Sequence, residues 1–414
     1  MERSQLDAMV YEAVFSEGEE KEARLREVRE KAQALGGRLA SIYPLYREIA
    51  REFRGFTVPA INIRGMTYDV ARALFRVARR LSVGAVLVEI ARSEMGYTRQ
   101  RPLEYAAVVL AAAVREEFPG PVFLQGDHFQ ANRKAYQASP QTEKEALRQL
   151  IREALEAGFY NLDIDASTLV DLSRETLSEQ QRPNYELTAE LATYVRSLEP
   201  EGITVNLGGE IGEIGGHNST PEELRAFMEG FNRCFRGEAG LSKISVQTGS
   251  SHGGVVLPDG SVARVQIDFD TLRTLSEIAR REYGMAGAVQ HGASTLPEEL
   301  FHLFPEVGCV EIHLATGFQN LLYDHPALPE EFRQKIYAYL KEHLRHEWKE
   351  GWTEAQFIYK VRKKGFGIFK KEWWDLPQEV KAPIIQTLEE TFERIFRALK
   401  VTGTLELVSG VIRS

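Results

Sequence analysis

The chain has 414 residues, 43% of them hydrophobic, and carries a formal net charge of -9 at pH 7. That length can bury a large core, in one domain with extensions or in two domains, and the acidic balance argues against nucleic acid or anionic membranes as partners, because both require a basic surface. Its two cysteines, Cys234 and Cys309, lie in apolar contexts, so we expect neither a disulfide framework nor a cysteine-based zinc knuckle.

Residues 1 to about 50 are charged, with opposite charges at helical spacing in the run from Glu19 to Arg24. They predict a helical N-terminal extension. The segment lacks the apolar core of a signal peptide, and the longest apolar run of the chain, 106–114, is too short to cross a bilayer. We therefore expect a soluble, cytoplasmic protein without a membrane partner.

From Thr57 onward, short β-branched runs alternate with amphipathic stretches. The predicted strands are 58–63, 85–90, 122–126, 161–164, 204–208, 243–247, 287–290 and 309–314. The predicted helices between them are 69–80, 102–117, 142–156, 185–197, 221–236, 269–282 and 297–304. This alternation is typical of the α/β class and matches a (β/α)8 TIM barrel with helical N-terminal and C-terminal extensions better than an open doubly wound sheet.

The chain after Tyr323 is helical in pattern, with predicted helices at 330–348, 354–363 and 378–400, the first of which we expect to be the eighth barrel helix. The chain then divides into a helical extension at 1–50, a catalytic barrel at 51–346 and a helical appendage at 347–414. The stretch 359–374 mixes basic and aromatic residues. Such a segment can bind nucleic acid, but in so acidic a chain we interpret it as a solvated helix face or a contact between subunits of a homo-oligomer.

Three histidines stand at the ends of predicted strands. His128 follows Gly126 and Asp127 on the third strand, His252 follows the sixth, and His291 closes the seventh. A parallel barrel gathers these strand ends at one rim, and three imidazoles there leave a fourth position on Zn²⁺ for a substrate oxygen. One such histidine is more often structural or a general base, but three together favour a metal site.

Acidic residues near the histidines are candidates for proton transfer. Adjacent strand residues face opposite ways, but a bend at the strand end would bring Asp127 to the rim beside His128, where it could exchange a proton with a substrate hydroxyl. Alternatively, Asp127 supports a metal ligand or caps a helix. In the glycine-rich segment 206–218, Glu210 could bind the metal and Glu213 could act as an acid or base, unless the glycines form a simple turn.

Small residues follow the last three predicted strands. They are Gly253 after strand six, Gly292 and Ser294 after strand seven, and Thr316 after strand eight. Backbone N–H groups and hydroxyls in these loops of a barrel often bind phosphate, although each piece alone is an ordinary turn. Together they predict an anion site.

These residues, in this order, resemble the class II, metal-dependent ketose-bisphosphate aldolases over about 56–322. The motif 58–62, ending in Asn62, is similar to the family's first strand, and Asp127 and His128 are similar to its catalytic aspartate and first zinc histidine. The resemblance implies that His252 and His291 complete the zinc site, with Glu210 as an alternative ligand, and that Asn62 contacts substrate. It also implies reversible cleavage of a ketose bisphosphate to dihydroxyacetone phosphate and an aldehyde, with Zn²⁺, or Mn²⁺ or Co²⁺ in its place, polarising the ketone.

The chain also departs from the family pattern. At strand eight the family usually carries Asn-X-Asp-Thr, whereas this chain has His313, Leu314, Ala315 and Thr316. The loop at 217–219 is short, and the segment 89–92 contains Glu89 and Arg92 in place of a more neutral stretch. The metal ligands and the base are thus kept, whereas substrate recognition and one proton-transfer partner are predicted to be altered.

The leading hypothesis is a lyase of carbohydrate metabolism, of the glycolytic aldolase type, acting on a small-molecule sugar phosphate such as a fructose- or tagatose-bisphosphate-like ketose. The alternative is a metal-dependent epimerase of ketoses or keto-acids, in which His313 and Arg92 would bind a hydroxyl or carboxylate. A third hypothesis, a non-catalytic sugar-phosphate-binding protein, explains the adjacent Asp127 and His128 less well.

Overall fold

The computed structural model describes residues 3–212, 217–249, 256–261 and 266–412. Its strands are β1 (Val58–Asn62), β2 (Leu87–Ala91), β3 (Phe123–Gln130), β4 (Asn161–Asp165), β5 (Asn206–Glu210), β6 (Lys243–Val246), β7 (Ala288–Gln290) and β8 (Glu311–Leu314). Each strand pairs in parallel with the next, and β8 pairs with β1 to close the barrel. The predicted (β/α)8 TIM barrel with helical extensions is confirmed, and every predicted strand is present.

Helices surround this barrel and extend it at both ends. Before β1 lie α1 (Gln5–Phe15), α2 (Gly18–Ala34) and α3 (Tyr43–Arg51). Between β1 and β8 lie α4 (Thr67–Arg80), α5 (Arg92–Tyr97), α6 (Pro102–Arg115), α7 (Arg133–Ala138), α8 (Pro140–Ala157), α9 (Leu177–Leu198), α10 (Pro221–Cys234), α11 (Phe269–Tyr283) and α12 (Leu303–Glu306). After β8 lie α13 (Thr316–Asp324), α14 (Glu330–His343), α15 (Glu354–Val361), α16 (Gly365–Ile368), α17 (Lys370–Trp374), α18 (Gln378–Ala398) and α19 (Leu405–Val411). Within the described residues, no helix is both long and apolar enough to cross a bilayer.

Local capping signals explain where several helices begin. The hydroxyls of Thr176 and Thr220 accept hydrogen bonds from the backbone N–H groups of Glu179 and Glu223, whose carboxylates accept bonds from the threonine N–H groups in return. The first of these capping boxes starts α9 well before residue 185, where the sequence predicted its start. The helix predicted at 297–304 is instead a short turn, Glu298–Leu300, followed by the single turn of α12.

The outer ring of helices is completed by α18, next to α4. Ion pairs join the two helices, with 2.7 Å between Arg76 Nη2 and Glu389 Oε1 and 2.7 Å between Arg80 Nη2 and Glu393 Oε2. The expectation that 330–348 forms the eighth barrel helix is therefore wrong, since α14 packs on α15 and on the turn that follows it. The domain boundaries at 50 and 346 stay predictions.

The N-terminal helices cover the end of the barrel where the strands begin. The backbone N–H of Ile42 donates to Asn161 Oδ1 at the start of β4, at 2.8 Å. The hydroxyl of Tyr46 on α3 donates to the carboxylate of Glu311, the first residue of β8. Helix α2 packs against α6 on the outside. The opposite rim, where the strands end, is thus left for a site.

The interior of the barrel is polar and charged. Lys243 on β6 is buried, and its Nζ lies 2.5 Å from Glu311 Oε1, 2.9 Å from Asp163 Oδ1 and 2.7 Å from Gln125 Oε1. Gln125 Nε2 donates in turn to Glu89 Oε2 at 3.0 Å. Barrel interiors of this kind are usually filled by branched apolar side chains. Here one ammonium group pairs with carboxylates from two other strands, and Gln125 connects it to a third carboxylate, that of Glu89.

The aromatic residues of the segment 359–374 belong to the core. Trp373 is buried against Tyr323, with ring centroids 5.2 Å apart, and Phe366 packs on the same tyrosine at 5.0 Å. Trp374 packs edge-on against Phe15 of α1. Interpretation of this stretch as a solvated helix face is therefore wrong for its aromatic residues. The C-terminal segment is instead packed onto the barrel.

Candidate active site

The third strand turns two adjacent side chains toward the same rim. The pairing of β3 with β4 shifts register between Gly126 and Phe129, and His128 has a φ of 40°, in the left-handed region. A regular strand would direct Asp127 and His128 to opposite faces. The bulge brings them together, with 3.8 Å between Asp127 Oδ1 and His128 Nε2. The bend that the sequence analysis required is present.

Candidate metal ligands converge at the ends of β3, β5 and β7. One ligand atom from each of His128, Glu210 and His291 lies within 4.8 Å of the other two. His128 Nδ1 is 3.1 Å from Glu210 Oε2, and the ring centroids of His128 and His291 are 4.2 Å apart. The other predicted ligand, His252, lies outside the described residues, as does the candidate acid or base Glu213.

His313 joins this cluster from the end of β8. Its Nδ1 lies 3.2 Å from Asp127 Oδ1 and 3.0 Å from Glu89 Oε2, and its ring centroid is 4.0 Å from that of His291. On its other edge, Nε2 is 2.7 Å from Glu311 Oε1. His313 therefore connects the rim to the charged interior and places a second proton-carrying group beside Asp127.

Burial shifts the protonation of the carboxylates around the site. Burial raises the pKa of Glu210 to about 7, with a further rise from the negative charge of Asp165 and an opposing effect of His128. Burial also raises the pKa of Glu89 to about 7, reinforced by Asp127 and opposed by His313. Both side chains can therefore gain or lose a proton near neutral pH.

Asp165 on β4 orients His128. Its carboxylate lies 2.9 Å from His128 Nδ1 and accepts hydrogen bonds from Ser167 Oγ at 2.6 Å and Gln130 Nε2 at 2.5 Å. Burial alone would raise the pKa of Asp165, but these hydrogen bonds outweigh it and lower the pKa. Against the effect of its own burial, Asp127 and Glu210 raise the pKa of His128 well above its usual value. The cluster thus favours a positive charge at this point of the rim.

A cavity of about 310 Å³ opens over the cluster. Asp127, His128, His291 and His313 line it together with Lys363 from the C-terminal segment. A larger cavity of about 700 Å³ lies on the outside of the barrel, between α2, α6 and α8. Its walls carry no residues of the cluster, so we place the chemistry in the smaller cavity.

Predicted substrate-binding residues fall in different places. Gly292, Ser294 and Thr316 line the 310 Å³ cavity, while Gly253 lies outside the described residues. Asn62 is buried and is not among the residues that line this cavity; its Nδ2 donates to Glu94 Oε2 at 2.6 Å. Arg92 is also absent from the lining, because its guanidinium is bound to the buried carboxylate of Glu143. Arg92 is therefore poorly placed to bind substrate.

The sequence of the chain matches a known protein family. Residues 48–403 match the family model described as fructose-bisphosphate aldolase class-II. The chain belongs to this class II aldolase family. No curated protein sequence matches the chain.

Solved structures agree with a class II aldolase fold. The YdjI aldolase of Escherichia coli K12 superposes with a TM-score of 0.51 at 14% identity, covering 88% of this chain and 99% of that one. The fructuronate-tagaturonate epimerase UxaE of Cohnella laeviribosi superposes with a TM-score of 0.58 at 13% identity, covering 83% of this chain and 81% of that one. A probable tagatose 6 phosphate kinase of Sinorhizobium meliloti 1021 has a TM-score of 0.56 at 16% identity, covering 86% of this chain and 98% of that one. At these identities the likeness establishes the fold alone.

The side chains at the rim fit the divalent metal on which class II aldolases typically depend. Two imidazoles and one carboxylate, from His128, His291 and Glu210, form a donor set that suits Zn²⁺ and related ions. The carboxylate of Asp165, 2.9 Å from His128 Nδ1, is the kind of partner that metal-binding histidines usually have.

Several residues of this class II aldolase site were missed by sequence reasoning. Asp165 could have been found, since Asp163 and Asp165 alternate on one strand and so share a face. Glu89 was noted as a departure from the family pattern but was not assigned to the site, although a charged residue inside an apolar strand gives a similar signal. Lys363 gave none, because only the docking of the C-terminal segment brings it to the rim.

Proposed function

We propose that this protein is a metal-dependent aldolase that reversibly cleaves a phosphorylated ketose, fructose- or tagatose-bisphosphate-like, to dihydroxyacetone phosphate and an aldehyde. The observation that carries the proposal is the bulge in β3, which sets Asp127 beside His128 at the rim, next to His291 and Glu210. An acid or base adjacent to a metal-binding group is what the cleavage of a hydroxyketone requires.

Each residue has a role in this proposal. His128, His291 and Glu210 would hold the divalent ion, with His252 as a further ligand. When bound, the ion supplies polarisation of the ketone oxygen. In cleavage, Asp127 takes the proton from the hydroxyl group on the carbon that becomes the aldehyde. In condensation it returns that proton.

Two further groups complete the proposed reaction. Glu213 would exchange the proton at the carbon that becomes the hydroxymethyl carbon of dihydroxyacetone phosphate. The small residues Gly292, Ser294 and Thr316, which line the same cavity, would bind the phosphate through N–H groups and hydroxyls, with Gly253 contributing from the neighbouring loop.

The test is to incubate the metal-loaded protein with ketose phosphates, bisphosphates and unphosphorylated ketoses, and to identify products by mass spectrometry and NMR. We expect triose products, and a fall of about 10²- to 10⁴-fold in their rate of formation for Asp127→Asn, because general acid–base catalysis contributes that much. Metal content should be retained in the variant. Asp270→Asn, at a highly exposed aspartate, is the matched control. Unchanged cleavage by Asp127→Asn would refute the role of Asp127.

A second candidate function is a metal-dependent epimerase of ketoses or keto-acids. The contact of His313 Nδ1 with Asp127 Oδ1 at 3.2 Å favours it, because a second proton carrier beside Asp127 could relay the hydroxyl proton while the cleaved fragments re-add with the opposite configuration. UxaE, which has a similar fold, is named a fructuronate-tagaturonate epimerase. An isomeric sugar formed without any trappable aldehyde would establish epimerisation in place of aldol cleavage.

A further inference from the structure

The turn Arg362–Lys364, between α15 and α16, places the side chain of Lys363 at the active-site cavity. Lys363 lines this cavity together with Asp127, His128 and Thr316. It is the one cavity-lining residue, among those described, that comes from beyond α13. The C-terminal segment is thus part of the wall of the proposed active site.

The turn is held firmly in this place. On one side of Lys363, the guanidinium of Arg362 binds Asp324 at 2.6 and 2.9 Å and Asn320 Oδ1 at 2.7 Å. The hydroxyl of Tyr323 donates to the carbonyl oxygen of Arg362 at 2.5 Å. These contacts reach back to α13, which directly follows β8.

Close backbone contacts fix the other side of the turn. A Cβ added to Gly367 would lie 2.0 Å from the carbonyl oxygen of Tyr97, and one added to Gly65 would lie 2.1 Å from the Phe366 ring. Such approaches are possible only with glycine. The position of Lys363 is therefore set by packing rather than by the reach of a free surface chain.

The charge of Lys363 has little compensation from the protein. Within the described residues, no carboxylate forms an ion pair with its Nζ, which lies 5.4 Å from the centre of the Tyr97 ring. Burial lowers the pKa of Lys363, and the nearby guanidinium of Arg64 lowers it further. Glu94 opposes this but is already bound to Arg64 at 2.6 Å.

An ammonium group held at a cavity wall beside a second cation is stabilised by an incoming anion. Resting on the proposed function, we propose that Lys363, with Arg64, binds an anionic group of the sugar substrate, a phosphate or a carboxylate. Both side chains line the same cavity as Gly292 and Ser294 but come from other parts of the chain, the loop after β1 and the turn after α15. The contribution of Lys363 makes the C-terminal segment a determinant of substrate specificity.

The test compares equilibrium affinities in the metal-loaded full-length protein by calorimetry. The anionic probes are fructose 1-phosphate, fructose 6-phosphate and 5-keto-D-gluconate, and the neutral probe is fructose. We expect Lys363→Met to weaken binding of at least one anionic probe about 10-fold or more, the size of a lost charge-assisted hydrogen bond, and to leave fructose unchanged. Lys363→Arg should keep most of the affinity. The probe that loses affinity identifies phosphate or carboxylate as the anion.

Lys364→Met is the matched control, since Lys364 is already paired with Glu347. Lys363→Met should fold, because methionine keeps the stem of the side chain and removes a charge that is poorly compensated; its thermal unfolding should match wild type or exceed it. The proposal is overturned if wild type prefers no anionic probe over fructose, or if Lys363→Met binds all anionic probes as wild type does. The proposal is also overturned if Lys363→Met loses as much affinity for fructose as for the anionic probes. Because the measured quantity is an affinity and not a rate of product formation, failure of aldol cleavage leaves this result readable.

Discussion

Glu89 illustrates how one buried carboxylate couples the site to the barrel interior. Its Oε2 is 3.0 Å from His313 Nδ1 at the rim and 3.0 Å from Gln125 Nε2 inside. Burial is the main reason that its pKa rises from 4.5 to about 7, and the charge of Asp127 adds to the rise. The proton on Glu89 therefore belongs to the folded state more than to the unfolded one.

This shift predicts a pH dependence of stability in the metal-free protein. Between pH 4.5 and about 7 the folded state binds more protons at Glu89 than the unfolded state, so the free energy of unfolding falls as the pH rises through this window. Glu89→Gln removes that dependence. Between pH 4.5 and 8, the free energy of unfolding of the variant should therefore rise relative to that of wild type by up to about 3 kcal/mol. Urea denaturation at four pH values measures the difference. A difference that stays constant with pH would contradict the protonated state of Glu89.

Single residues were predictable from the sequence where strand order alone decides their position. Asp127, His128 and His291 stand at strand ends, and a barrel brings strand ends together whatever the details of packing. Arg92 was misjudged, because its partner Glu143 lies 51 residues further along and only the fold brings the two together. Lys363 depends on tertiary docking in the same way.

At the scale of elements, the bulge in β3 decides the geometry of the site. Gly126 starts it, and a Cβ there would lie 2.5 Å from the buried ring of Phe129 and 3.0 Å from Leu162. We expect Gly126→Ala to cost about 1 to 3 kcal/mol of stability through overpacking. It should also lower kcat/KM at least about 10-fold, because a shift of the bulge misplaces Asp127.

Steady-state kinetics and thermal unfolding measure the two effects of this change. Gly410→Ala is the control, since a Cβ at Gly410 would contact nothing within 4 Å. If Gly126→Ala loses stability and keeps its activity, the bulge tolerates repacking and does not set the geometry of the site.

The strands were predictable because buried parallel strands form apolar runs that differ sharply from the helices between them. The eighth helix was not. A helix that follows the last strand by only a few residues is the usual arrangement, but here α13 is short and the ring is completed by α18, more than 50 residues later. The pattern of α18 shows an amphipathic helix and cannot say which helix it packs against.

At the scale of the whole molecule, α18 ties the C-terminal segment to the barrel. Its apolar face buries Ile384, Leu388 and Phe392, and Phe392 packs on Phe318 of α13 with ring centroids 5.2 Å apart. We expect a chain truncated to residues 1–346 to lose cooperative unfolding or to aggregate, because α4 and α13 would expose their apolar faces. Circular dichroism and size-exclusion chromatography test this. A soluble, cooperatively unfolding 1–346 would instead support the predicted boundary at 346.

The charged interior of the barrel has a consequence for how the molecule can assemble. Lys243 comes from β6 and pairs with Glu311 of β8 in the same half of the chain, but its other carboxylate partner, Asp163, comes from β4 in the first half. Strands β1–β4 alone would leave a buried, charged Asp163 without its ammonium group, at a cost of several kcal/mol. We therefore expect the first half of the barrel to be unstable by itself, because its buried charge is neutralised only when Lys243 of the second half closes the ring.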